Sequence, residues 1–307
     1  MSRQRLLDAR TLARIRDLKL LARLVVDGSL HGIHRSRQLG AGMEFSQYRQ
    51  YEPGDDPRQI DWKLYARSDR VFVRQSERES HVAVWFLVDT SASMAQSGAQ
   101  VDNWSRLDCA RALVASLAYV CQRQGDSFGL VGLSDQNLAY VPSRNDERHL
   151  DRFLLALQTL RPRGAWPAER QLNVLWEQLQ SPGLVVLVSD FFQHHAEIER
   201  LVGKLNAGGK EVLTIQLLTQ DEISFPYRGN IAFVDRETGN TVQVDAASAR
   251  QRYLEQFEAA AARLRAALAG MGIAHQRHLI ETPLHESVWH FLEARQRRAG
   301  QRKREAV

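Results

Sequence analysis

The chain has 307 residues, 44% of them hydrophobic and 25% charged, which is enough to bury a full core as one large domain or two modest ones. Its formal charge of +5 and pI near 9.4 are mild for that length, and the excess gathers at the ends, which excludes a chain coated throughout in positive charge. The first thirty residues hold no uninterrupted apolar region, and the longest apolar blocks, such as 82–88 and 184–188, fall far short of the roughly 20 residues of a membrane helix. A soluble chain without a leader or a membrane partner is the expectation.

In chain order, residues 9–27 read as an amphipathic helix, with Leu12, Ile15, Leu18, Leu21, Ala22 and Val25 recurring at helical spacings before Gly28. Residues 35–80 carry little periodicity and many turn formers, Pro53-Gly54-Asp55-Asp56-Pro57 among them, with a short strand at Val71-Phe72-Val73. From residue 82 apolar runs alternate with helices. Runs at 82–88, 127–133, 184–188 and 211–218 and a short strand at 138–142 are separated by helices near 105–123, 146–160, 168–180 and 195–206. A β-hairpin at 230–244, a long helix at 246–269, a strand at 273–280 and a helix at 284–298 complete the pattern.

Short apolar runs of this kind, alternating with helices, are parallel strands buried on both faces. The predicted fold class is therefore α/β, a doubly wound and mostly parallel sheet at residues 81–294 with the hairpin inserted at 230–244. An N-terminal helix and a small irregular or β-rich module occupy residues 1–80, and a basic tail (Arg295, Arg297, Arg298, Arg302, Lys303, Arg304) occupies 295–307. Such a tail can bind nucleic acid or anionic lipid, but more often it is a solvated, frayed terminus. Cys109 and Cys121 share one predicted helix, where twelve residues mean about 18 Å of rise, so they cannot bridge without breaking it. A reducing, cytoplasmic setting fits.

Chemistry concentrates at Val84-Trp85-Phe86-Leu87-Val88-Asp89-Thr90-Ser91-Ala92-Ser93-Met94. In a doubly wound sheet, ligands sit beyond the carboxyl ends of the strands, and Asp89 ends the first of them. Asp190 ends another in Val188-Ser189-Asp190. An aspartyl nucleophile would want a second acid at the position of Ser91, and a serine hydrolase would want Gly flanking its serine, so neither pattern is met. One carboxylate and two hydroxyls are hard oxygen donors suited to Mg²⁺ or Mn²⁺. Alternatively Ser91 or Ser93 simply caps a helix. No phosphate-cradling glycine motif occurs, and His31, His34, His194, His195, His285 and His290 lack metal-ligand spacing.

Asp-x-Ser-x-Ser at residues 89–93, with the later strand-end Asp190, resembles the metal-ion-dependent adhesion site of von Willebrand factor A domains. The block from Gly42 to Lys63, GMEFSQYRQYEPGDDPRQIDWK, closely resembles the signature of a bacterial family of unknown function that has an A-domain-like fold and is typically encoded beside MoxR-type AAA+ ATPases. The resemblance implies Asp89, Ser91 and Ser93 as ligands of Mg²⁺ or Mn²⁺, with Asp190 bound directly or through water. It implies a noncatalytic interaction module partnering such an ATPase in chaperone-like complex maturation. One ligand is missing: the loop that usually supplies Thr reads Arg163-Gly164-Ala165-Trp166-Pro167-Ala168, and neither Ala165 nor Trp166 offers a side-chain oxygen. The ligands are expected to bind metal weakly or to join a metal-free hydrogen-bond network. Glu44, Arg49, Asp55, Asp56, Arg58, Asp61 and Trp62, together with Trp166, are the expected partner-binding residues, although the first seven also suit an internal network of ion pairs and stacked rings. A metal-dependent hydrolase and nucleic-acid binding through the tail are the alternative functions.

Overall fold

The computed structural model describes residues 8–36, 47–51, 65, 71–75, 82–99, 101, 103–136, 138–179, 182–192 and 195–305. The chain divides into two compact units, one of residues 1–31 with 81–307 and the other of residues 32–80. In the smaller unit, β1 (Gln47–Gln50) pairs antiparallel with β2 (Phe72–Gln75), Arg49 lying opposite Val73.

The N-terminal segment is two helices where the apolar spacing predicted one. α1 (Ala9–Leu12) ends, and α2 (Leu18–Ser36) starts afresh because the Asp17 carboxylate accepts the Lys19 and Leu20 N–H groups at 2.8 and 3.1 Å. Gly28 does not stop α2. Buried Val25 and Val26 hold that turn, and one interior glycine costs only about 1 kcal/mol.

Six strands form the main sheet: β3 (Ala83–Asp89), β4 (Ser127–Leu133), β5 (Ala139–Arg144), β6 (Leu184–Ser189), β7 (Glu211–Leu218) and β10 (Ala274–Leu279). Their order is β10-β7-β6-β3-β4-β5, parallel throughout except for β5, which runs antiparallel to β4. Alternation along β3 shows why both faces are apolar. Val84, Phe86 and Val88 join one core with α1, α2, α3 (Arg106–Arg123), α4 (His149–Thr159) and α9 (His285–Glu305). Trp85 and Leu87 join the other with α5 (Glu169–Gln178), α6 (His195–Ala207) and α8 (Ala246–Gly270). Gly129 on β4 is required by this packing, since a Cβ there would lie 2.5 Å from the Trp85 ring. The predicted hairpin is present as β8 (Asn230–Val234) and β9 (Thr241–Asp245), a separate two-stranded sheet after the short helix α7 (Gln220–Ser224).

The basic tail is corrected at its first residue. α9 continues through the expected tail to Glu305, and Arg295 is no solvated end. Its Nη2 donates to Asp126 Oδ1 at 3.1 Å and its Nε to Oδ2, while the Val82 N–H donates to Oδ1 at 2.8 Å. The Asp126 carboxylate is fully buried and ties the middle of α9 to the entry of β3. Removing one member of a buried pair strands the other charge, at about 3–5 kcal/mol. Arg295→Ala is therefore expected to lower stability by about that amount, read as the urea midpoint at constant slope.

Candidate functional site

Because β6 lies beside β3 while β4 lies on its other side, the strand order reverses direction at the carboxyl end of β3. Asp89 ends β3, and Asp190 directly follows β6. Both are buried, at 0% and 2% exposure. The Ser91 N–H donates to Asp89 Oδ1 at 2.8 Å, and the Ser189 hydroxyl donates to Oδ2 at 2.6 Å. Ser91 Oγ and Ser93 Oγ lie 2.9 Å apart in a mutual hydrogen bond. The helix-cap alternative fails here: Ser91 precedes only a 3₁₀ turn (Ala92–Ala95) and makes no side-chain cap bond, whereas Ser105 and Asp108 form the capping box of α3.

The residue that organises the site is Arg106, at the first position of α3 and 3% exposed. Its Nη1 donates to Asp190 Oδ2 at 2.8 Å and to the Ser93 carbonyl at 3.1 Å, and its Nη2 pairs with Glu222 of α7. The guanidinium also lies 5.9 Å from the Phe192 ring centre. Glu222 is fixed from its other oxygen by the Thr219 N–H and hydroxyl, at 2.8 and 3.0 Å. Gln216 Nε2 holds the Asp190 carbonyl at 2.8 Å. After Asp190 the chain turns through Phe191 at φ +61°, a left-handed conformation costing a bulky residue about 1–3 kcal/mol. The Ser189 hydroxyl oxygen accepts the Phe191 N–H at 3.1 Å and secures that turn.

Electrostatics follow from this packing. Burial, then the nearby Asp190 charge, pushes the Asp89 carboxyl from its ordinary 3.8 up to about 6, against the hydrogen bonds from Ser189 and Ser91. Burial works against the Arg106 cation, but the Asp190 and Glu222 charges more than offset it and raise its pKa.

Do these residues fit a divalent cation? The 2.9 Å between the two serine oxygens matches an edge of an octahedron with metal–oxygen bonds of about 2.0–2.1 Å. The rest does not match. Asp190 Oδ2 is held by a buried guanidinium that would repel a second cation beside it. As arranged, the positive charge at the strand ends belongs to Arg106 and Mg²⁺ or Mn²⁺ does not fit. Among the described residues no three His, Cys, Asp or Glu side chains converge elsewhere to hold a metal.

The family model described as "Protein of unknown function DUF58" matches residues 47–267. The chain belongs to this family. A relative, Uncharacterized protein Rv1480 of Mycobacterium tuberculosis, is 29% identical over 236 residues, covering 76% of this chain and 73% of its own. Among solved structures, an aerotolerance-related membrane protein from Bacteroides fragilis shares 15% identity over 70% of this chain and 99% of that one, at a TM-score of 0.46. The SpRpn10 VWA domain shares 13% over 68% and 93%, at 0.40. The sheet itself is α/β, mostly parallel and six-stranded. The cytoplasmic assignment is corrected: one of these similar solved structures is described as a membrane protein, and two buried free cysteines do not place a chain in a compartment. Among the described residues no helix is long and apolar enough to cross a membrane.

Of the sequence-derived residues, Asp89, Ser91, Ser93 and Asp190 come together as described. Trp166, expected on a partner-binding surface, is 5% exposed and belongs to the same buried core as Trp85, Leu87 and Val131. Glu44, Asp55, Asp56, Arg58, Asp61 and Trp62 lie outside the described residues, and Arg49 is placed only by its backbone on β1. Arg106, Ser189 and Glu222 were missed. The available signals were an arginine in the first turn of a helix, where the dipole disfavours a cation, and the capping-box spacing Thr219-Gln220-Asp221-Glu222.

Titrating the protein with Mg²⁺ or Mn²⁺ in a calorimeter is expected to give no saturable heat at millimolar metal. A binding heat that Asp89→Ala abolishes would restore the cation. The pH dependence has a defined sign. With its folded pKa above the unfolded value, Asp89 holds a proton more tightly in the folded state, so its contribution to stability is full below about pH 4 and is lost as pH rises through 6. The expected loss is on the order of 1–3 kcal/mol, seen as a pH-dependent unfolding midpoint that flattens in Asp89→Asn.

Proposed function

We propose that the chain is a noncatalytic protein-interaction module whose recognition face is the carboxyl end of the sheet, an adhesion-type site in a degenerate, arginine-bridged form. The observation that carries this is the saturation of the site's reactive groups. Asp89 accepts two hydrogen bonds, Ser91 and Ser93 bond to each other, and Asp190 is paired with Arg106; the one hydroxyl set on a carboxylate, Ser189 on Asp89, is fully buried and also accepts the Phe191 N–H. A hydrolase needs such a pair open to its substrate. Charges fixed at a strand-order switch point, on loops held by the sheet, suit recognition of another protein.

The partner in this proposal is a MoxR-type AAA+ ATPase acting with its client proteins, and the support for it is the Gly42–Lys63 signature. Co-purification of such an ATPase with the tagged full chain is expected to fall at least tenfold for Asp190→Asn, in preparations whose circular dichroism matches the parent. Undiminished capture by that variant would move the interface away from the strand ends.

A further inference from the structure

Beyond the carboxyl ends of β3 and β4 is a cavity of about 390 Å³ whose polar lining is Thr90, Ser134, Gln136, Thr159, Arg161 and Arg163. Among the described residues that line it there is no carboxylate. Arg161 and Arg163 are both exposed, and neither forms an ion pair with any described residue. The contrast with the neighbouring cations is direct: Arg106 is paired with Asp190 and Glu222, and Arg111 with Asp108. Asp135, between the lining residues Ser134 and Gln136, has its Oδ1 engaged by the Ala165 N–H at 2.9 Å.

The two arginines stand on a fixed frame. Arg161 Nη1 donates to the carbonyls of Gln158 and Leu160 at 2.7 and 2.8 Å, which orients the guanidinium and leaves Nε and Nη2 for a ligand. The Arg163 N–H donates to the Thr90 carbonyl at 2.8 Å, and the Ala92 N–H donates to the Gly164 carbonyl at 2.8 Å. Gly164 has φ +73°, and a Cβ there would meet Asp135 Oδ1 at 2.0 Å, so the turn that presents Arg163 requires glycine. Such a frame limits the side-chain entropy lost when an anion is bound.

We propose that this cavity receives the carboxylates of an acidic segment of a partner protein. The proposal rests on the reading of the chain as an interaction module and names the chemistry that the partner presents. A guanidinium fork matches a carboxylate in two parallel hydrogen bonds, and two such forks with no internal counter-charge select an acidic peptide. The volume lies at the low end of ligand cavities, about 300–1,000 Å³, which suits one or two side chains.

The test uses the full chain, a fluorescein-labelled hexaglutamate peptide and fluorescence anisotropy at low salt. Saturable binding that weakens with added salt and falls at least tenfold in the double variant Arg161→Ser/Arg163→Ser is expected, in preparations whose circular dichroism matches the parent. Hexalysine is expected not to bind. Equal affinity of the parent and the double variant for hexaglutamate would overturn the proposal, as would inorganic phosphate binding the cavity more tightly than the peptide does. Capture of the ATPase separates the two readings: retention by the arginine double variant with loss by Asp190→Asn overturns this inference and leaves the interaction module standing.

Discussion

A buried guanidinium shared between the strand-end Asp190 and Glu222 of the short helix α7 is the constraint on which the top of this molecule depends. Arg106 enters at the start of α3, where the helix dipole is unfavourable to it, and is stable there because Asp190 and Glu222 surround it. Such an arrangement is weak evidence for net stability but strong evidence for a fixed geometry, since loss of any one member leaves an uncompensated charge in the interior. Three segments far apart in sequence are locked by one side chain: the 3₁₀ turn through the Ser93 carbonyl, the end of β6 through Asp190, and α7 through Glu222.

The sheet makes that lock possible. Its strands are apolar on both faces, so helices must cover both, and the polar atoms of the strand ends are left to the loops. Those loops bond to one another rather than to solvent: Thr90 to Leu133 and Arg163, Ala92 to Gly164, Asp135 to Ala165. A rigid rim results, on which a saturated cluster at Asp89 and Asp190 lies close in sequence to a cavity with two uncompensated arginines. The strand-end acids are thus bonded within the protein, while Arg161 and Arg163 have no ion-pair partner among the described residues.

Much of the fold was legible in the sequence. Runs at 82–88, 127–133, 184–188 and 211–218 became β3, β4, β6 and β7, since a strand buried on both faces needs an unbroken apolar run. The helical segment at 9–27 was misread in its details because Asp17 can start a new helix inside a continuous apolar stripe, and periodicity alone does not register a cap. Asp89, Ser91, Ser93 and Asp190 stood out as polar residues directly after apolar strands. Arg106 did not, as its role depends on acids 84 and 116 residues away.

By itself the sequence determined the layer architecture, the family and the identity of the polar atoms at the strand ends, because these follow from local pattern and local composition. Only the tertiary structure decided the order β6-β3-β4, which sets Asp190 beside Asp89, and only burial decided that a guanidinium takes the positive position there. Strand order and desolvation are properties of the assembled sheet, and no spacing along the chain encodes them.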